Sequence, residues 1–574
     1  MAFARLDDAL YSIGKYGRYQ LTTSVIITAL GTLFPAWQMM GIIFSADRPK
    51  SFHCTTTNGL TLLGEGTAGP NASVDGRTNS SFEDAGSQDA CQAVSFVNGS
   101  ESVSPCTEWT YERIYNESTI VTDLNLVCDL GLLAETAQSI FLFGMLIGAV
   151  VFGYLSDVFG RKVVLLGACV MNGVLGVAVA FVWNYVGIAV LWFLTGMFAQ
   201  GYNMVQFVMI MEMFPSECRT LAGSLNNLIW GVAMVLLAPI GYTFTNWRHM
   251  QLVISIPCFI ALPLWFLLDD SVRWLLAVGR KDKARVILEK MARWNRRTPP
   301  PGGFLEIIED LPPLLIARDD GDIINKLPVT TESSPEKNKC RFIDIFKSRR
   351  VLLNVIIVYF LWFVALLAYL GATLNAANLA GNKYINVLLL GVVELPGYLI
   401  IHFTMTWWGR RPSLSLFFLV AGLASITTAL LPQKTANGTD LTVAILISAM
   451  LIKLCIICSY SINTICCTEI LPTPIRNLGF GVGAVCGNIG TVVAPFVLYL
   501  DEVAPYLPLT IIGALCVLSS ILVPILPETK DKPLPETIED SENIGKRLPV
   551  TENEKGTVHV TSVRVDAATG DTTV

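Results

Sequence analysis

The stretch Gly153-Tyr-Leu-Ser-Asp157-Val-Phe-Gly160-Arg161-Lys162 stands between two long apolar runs, and Trp408-Gly409-Arg410-Arg411-Pro412 stands between two others. Downstream of the first, Glu212 is followed seven residues later by Arg219. Downstream of the second, Glu469 is followed at the same interval by Arg476. Gly160 to Gly409 is 249 positions and Glu212 to Glu469 is 257, so two features recur in one order at nearly one offset. A chain built this way is two copies of one unit. Parallel repeats in a membrane bundle imply halves that rock about a substrate site near mid-membrane.

Outward from these stretches the apolar runs define the unit. A helix needs about 20 mostly apolar residues to cross the hydrocarbon. Twelve runs qualify, near Leu21–Phe44, Glu135–Leu155, Val163–Trp183, Gly187–Met211, Leu221–Thr243, Met250–Leu268, Val351–Gly371, Asn386–Thr406, Leu414–Leu431, Leu441–Cys466, Leu478–Leu500 and Pro508–Leu526. They fall as six plus six. Of the 574 residues 52 % are hydrophobic and 15 % charged, with a mean hydropathy of +0.54. A soluble domain carries about 25 % charge, so lipid must cover the apolar excess. The formal charge of −6 offers no polyanion-binding face and argues against a nucleic-acid partner. The expected fold is an all-α membrane protein of twelve transmembrane helices in two six-helix halves. No cleavable signal is expected ahead of the first span, since Arg5, Asp7 and Asp8 lead into a full-length apolar run.

Three polar stretches report sidedness. Residues 45–130 hold the sequons Asn71, Asn79, Asn98 and Asn116 and the cysteines Cys54, Cys91, Cys106 and Cys128. Four sequons beside an even number of cysteines predict a glycosylated extracellular loop with disulfides, whose three possible pairings sequence does not separate. A fifth sequon, Asn437, falls between spans nine and ten, on the same side. Residues 269–350 are rich in Lys and Arg and read as a cytoplasmic linker, which puts the N-terminal residues 1–20 and the tail 527–574 inside as well. Within the linker Ala284, Ile287, Leu288 and Met291 recur at helical spacing, the mark of a short amphipathic helix. The halves are then 21–268 and 351–526, and the tail reads as disordered. It ends Asp571-Thr572-Thr573-Val574, a form that PDZ domains take by strand addition.

On the inner face Asp157 and Arg161 sit at helix ends, while Glu212/Arg219 and Glu469/Arg476 are each two helical turns apart. These charges, with Arg410, are expected to latch the cytoplasmic side and release as the halves rock. The alternative, that they only mark topology, needs neither an acid nor a fixed spacing.

The chain at this point resembles the organic cation, anion and carnitine transporters of the major facilitator superfamily. The resemblance runs from Asp7-Asp8-Ala-Leu to Pro527-Glu-Thr-Lys530 and includes Ser271-Val-Arg273-Trp274 and Val393-Glu394-Leu-Pro396. Three positions depart from the pattern. Val158 stands where Arg is frequent, Val272 where Pro is expected, and Thr406 where an Asp would sit, so the second-half latch should be the weaker one. The resemblance implies a plasma-membrane carrier of small organic ions, favouring cations or zwitterions such as amines and betaines. An anion exchanger is the alternative within the family, and a non-transporting receptor the alternative of another class.

Charges and aromatics inside spans are costly unless they face a cavity or a partner, which makes them the candidate substrate residues. Glu135 and Glu394 match acidic positions of cation-transporting relatives. Tyr398 matches carnitine-type ones, and Lys453 is basic in both branches. Asn488 replaces a position that is Asp in cation carriers and Arg in the others. Trp37, Trp362 and Tyr369 are candidates for a cation–π cage, the last two lying seven apart on one helix face. A single net negative charge is expected once Lys453 pairs with one acid. No cofactor, metal or enzymatic constellation is expected, since no nucleophile–base set, phosphate loop or metal-ligand spacing occurs.

Overall fold

The computed structural model describes residues 10–14, 16–49, 52–54, 91–97, 100–106, 109–113, 117–215, 218–297, 345, 347–375, 382–432, 440–472, 475–530, 532, 535 and 537–544. Twelve helices among them are long and apolar enough to cross a membrane. Spans 1 to 6 are Arg18–Ser45, Cys128–Phe159, Arg161–Val179, Tyr185–Met213, Leu225–Thr243 and Trp247–Leu267. Spans 7 to 12 are Arg349–Leu374, Lys383–Trp407, Arg410–Leu430, Thr442–Ile470, Leu478–Glu502 and Leu507–Ile525. Each expected apolar run coincides with one of them.

The repeat is visible in the backbone. Spans 2 and 3 join at Gly160 and spans 8 and 9 at Gly409, both at positive φ, +104° and +91°. An L side chain there would be strained. It would also collide, since a Cβ on Gly160 lies 2.7 Å from Asp270 Oδ2 and one on Gly409 lies 3.1 Å from the Glu528 carboxylate. Those two acids are equivalent: Asp270 stands three residues after span 6 and Glu528 three after span 12. Asp270 Oδ1 accepts the Lys162 N–H at 3.2 Å. Glu528 accepts the Arg410 and Arg411 N–H groups at 3.0 and 2.9 Å. Each half thus returns its last span to cap the first turn of its third, where unpaired N–H groups favour an anion.

The stretch after span 1 carries two short sheets, β1 (Phe52–Cys54) paired antiparallel with β4 (Trp109–Tyr111) and β2 (Gln92–Val97) with β3 (Ser100–Pro105). Cys91 is bonded to Cys128, and Cys106 is also in a disulfide; the side chain of Cys54 lies outside the described residues. Asp123 docks this stretch on span 6, accepting from Trp247 Nε1 at 2.8 Å. All five sequons, Asn71, Asn79, Asn98, Asn116 and Asn437, lie outside the described residues, as does the terminal Asp571–Val574.

Three apolar cores set the relation of the halves. One is made of first-half residues such as Ile27, Tyr202 and Phe214, another of second-half residues such as Leu361, Phe418 and Ile456. The third is shared: Met40, Phe141 and Met234 pack in one cluster with Leu370, Tyr384, Leu390 and Ala494. It lies toward the face carrying the 46–130 stretch, here the loop face. Toward the opposite, linker face each half packs on its own core.

The linker contains a helix at Lys281–Trp294 with Ala284, Leu288 and Met291 buried against Leu10 and Ile13, and Ile287 partly so. The expected amphipathic helix is there. The tail needs a correction. Residues 538–543 form a helix that sits on the second half, with Ser541 Oγ donating to Ile470 O at 2.7 Å and Ser348 Oγ donating to Glu542 at 2.8 Å. The polar composition of 527–574 hid this because the docking uses two hydroxyls and isolated apolar side chains, Ile538 and Ile544, rather than an apolar run.

Candidate functional site

The halves meet most intimately where spans 5 and 8 cross. A Cβ on Gly391 would lie 2.8 Å from Val235 N, so only hydrogen at that position permits the approach. One turn along, a Cβ on Gly231 would lie 2.8 Å from Leu395 Cδ2 and 3.7 Å from Glu394 Cβ. This lets Trp230 of the first half reach Tyr369 of the second, donating from Nε1 to the Tyr hydroxyl at 2.8 Å. Tyr369 Oη in turn donates to Glu394 Oε1 at 2.8 Å.

Glu394 Oε1 also lies 3.3 Å from Lys453 Nζ, and both side chains have zero exposure. Lys453 donates to Thr373 Oγ1 and lies over the Tyr369 ring, 3.3 Å from its centroid. Glu394 Oε2 has no hydrogen-bond partner among the described residues. The seam therefore holds a desolvated ion pair with one unsatisfied acceptor, and leaving a buried acceptor unmade costs about 1–3 kcal/mol. Span 8 runs unbroken through Pro396. Glu394 reaches the seam because glycine faces it.

A second polar group lies across the seam in the first half. Span 1 opens into one π turn at Ala29–Leu33, a local feature frequent at functional sites. Thr32 Oγ1 donates to Asn226 Oδ1 at 2.6 Å, Gln206 Nε2 donates to the same oxygen at 2.8 Å, and Asn203 donates to Gly31 O at 2.8 Å. Gln206 Oε1 is buried without a hydrogen-bond partner among the described residues. Scattered amides carry no motif, so none of these residues stood out in the sequence, although their burial within apolar runs was a usable signal.

The other candidates go elsewhere. Tyr398 is half-buried one turn beyond Glu394. Trp362 is buried in the second-half core between Tyr460 and Phe480, at 5.5 and 5.4 Å, with Nε1 unpartnered among the described residues. Trp37 donates to Ala233 O at 3.0 Å. Asn488 is half-buried, with no hydrogen bond among the described residues. The expected aromatic cage is not assembled around Glu394; of the three, Tyr369 alone touches the pair, because Trp362, on the same helix face, lies two turns, about 10 Å, further along the axis.

Glu135 is displaced furthest from expectation. It pairs with Arg48 at 2.8 Å, and Arg48 also reaches Glu502 at 2.8 Å and Asp501 at 3.5 Å across the halves. The adjacent Asp47 binds Lys383 of span 8 at 2.6 Å, which also contacts Glu117. The dipeptide Asp47-Arg48 thus ties the halves in both charge senses on the loop face.

The expected linker-face latch is corrected. Arg161 bridges Asp157 at 2.6 Å and Glu212 at 3.1 Å, all within the first half. Arg410 binds Glu469 at 2.9 Å, within the second. Thr529 adds a 2.5 Å hydrogen bond to Glu469. Arg476 donates to Leu471 O at 3.3 Å, and the Arg219 side chain is outside the described residues. These clusters staple spans inside each half. Burial pushes the nearby Asp270 carboxyl above its ordinary value, opposed by the Lys162 and Ser271 N–H groups. Arg161→Ala, which leaves Glu212 half-buried and unpaired, is expected to lower the thermal midpoint of the purified protein. An unchanged melt together with lost uptake at equal surface density would restore the inter-half latch.

The family model that matches is the Major Facilitator Superfamily, over residues 118–495. The chain is 31 % identical to the organic cation transporter protein of Drosophila melanogaster, over 94 % of this chain and 95 % of that one. It is 29 % identical to solute carrier family 22 member 3 of Rattus norvegicus and 29 % to member 6, with 94 % of this chain covered in both cases and 96 % and 94 % of those proteins. In fold it is similar to the xylose transporter XylE of E. coli in its inward-open conformation, with a TM-score of 0.57 and 16 % identity, covering 90 % of this chain and 99 % of that one. The chain belongs to the major facilitator superfamily, on the branch of the organic cation transporters and solute carrier family 22. It is a multi-pass membrane transporter, neither an enzyme nor a receptor.

Proposed function

We propose that the chain moves small organic ions, cations or zwitterions, across the plasma membrane by alternating access, with the loop face outside and both termini inside. The observation that carries this reading is the buried Glu394–Lys453 pair at the only described crossing where glycine brings the halves to backbone contact. Charges at such depth are placed for a substrate or a partner, and a site on the seam alone can feel both halves. The shared core and the Asp47-Arg48 ties join the halves at the loop face, while the two other large cores each lie within one half, the arrangement of a carrier closed on its loop side. That is one limb of a rocking cycle. The relatives' names support an organic cation, and Glu394 is the carboxylate to hold it.

Uptake of a model cation, a betaine and a model anion into injected oocytes tests the reading. Accumulation of at least one above water-injected controls is expected, and accumulation of none refutes it. Sidedness is checked separately: peptide-N-glycosidase should shift the mobility of surface protein, and Asn-to-Gln changes at Asn71, Asn79, Asn98, Asn116 and Asn437 together should remove the shift. An unshifted wild type would reverse the assignment of the loop face. The terminal Thr572–Val574 is proposed to take a PDZ domain inside the cell; no capture of PDZ domains by a terminal peptide would end that.

A further inference from the structure

The Glu394–Lys453 pair contains equal and opposite charges, and this bears on substrate class. Both groups have zero exposure and lie 3.3 Å apart. Each keeps something in reserve. Glu394 Oε2 is without a partner, while Lys453 is held by Thr373 and the Tyr369 ring independently of the carboxylate. The expectation of one surplus negative charge supplied by Glu135 fails, because Arg48 holds that carboxylate at the loop face. Among the described residues no third charged side chain is paired with either member.

Three ions of one shape would meet this site differently. A monocation must share Glu394 with Lys453, and the dry site then carries a net positive charge. A monoanion must share Lys453 with Glu394, and the site becomes net negative. An ion bearing both charges exchanges one internal pair for two intermolecular ones at constant total charge. In a medium of low dielectric an uncompensated charge is the dominant penalty.

We propose that Glu394 and Lys453 make the seam selective for compact zwitterions, with the cationic head on Glu394 Oε2 and the anionic head on Lys453 Nζ. This rests on the transport reading above and narrows it. Lys453 is then a specificity residue whose loss helps cations instead of harming them.

The test uses glycine betaine, choline and 3,3-dimethylbutyrate, which share a trimethyl head and differ in charge. Uptake is measured on the full chain in oocytes, with surface protein quantified by biotinylation. Betaine should half-saturate at a concentration at least tenfold below either mono-ion. Lys453→Gln should reverse the order of choline and betaine, and Glu394→Gln should move preference toward dimethylbutyrate. The exchanged pair Glu394→Lys with Lys453→Glu should keep the betaine preference, which separates charge from packing. Equal competition by choline and betaine in the wild type overturns the proposal, and so does an equal loss of all three in Lys453→Gln at normal surface density. Uptake of the wider panel's cation or anion without betaine sinks the zwitterion site alone. Uptake of nothing sinks the transport reading itself.

Discussion

Glu394→Gln is expected to abolish uptake of cations and zwitterions, or to raise the half-saturation concentration at least tenfold, while the protein still reaches the surface. The amide removes the charge but keeps the shape, so Tyr369 can still donate to the side-chain oxygen. What it cannot do is neutralise Lys453, which stays at zero exposure with Thr373 and a ring face as its remaining partners. Breaking a buried pair by removing one member costs about 3–5 kcal/mol, and 1.4 kcal/mol is about tenfold in affinity. The double change Glu394→Gln with Lys453→Gln should recover the stability lost by the single one without recovering transport. Normal cation transport by Glu394→Gln, with anion uptake lost in Lys453→Ala, would reverse the charge assignment.

The second large effect concerns the loop face. Lys383→Met leaves Asp47 and Glu117 facing one another in a partly buried site, with side-chain exposures of 13 % and 22 %. The discount for solvent puts the loss between an exposed pair and a fully buried one, about 2 kcal/mol. That is roughly thirtyfold in the ratio of closed to open states. Spin labels at the exposed Leu130 and Val503, one in each half, should report a longer distance in Lys383→Met and in Arg48→Ala. Unchanged distances in both variants would mean that the apolar core around Met234 and Leu390 alone keeps the loop face shut.

Much of this architecture could be read from the chain. The number of spans, the six-plus-six division and the Gly160/Gly409 turns are local consequences of apolar run length and of a backbone conformation that favours glycine. The burial of Glu394 and Lys453 was equally legible, since an ionisable residue deep in a span has few places to go. Pairing was not. The sequence sets Glu212 and Glu469 beside Arg219 and Arg476, because it displays separations along the chain and not between helices. The partners found, Arg161 and Arg410, come from other helices 51 and 59 residues away.

By itself, then, the sequence determined that this is a twelve-span repeat protein with charges inside its spans, because hydrophobicity and glycine act on their own segment. Only the tertiary structure decided that Glu135 belongs to a tie at the loop face, that the linker-face arginines staple within halves, and that Glu394 meets Lys453. A charge in a low-dielectric interior takes the nearest opposite charge in space, and that distance is set by helix packing at positions such as Gly231 and Gly391, not by position along the chain.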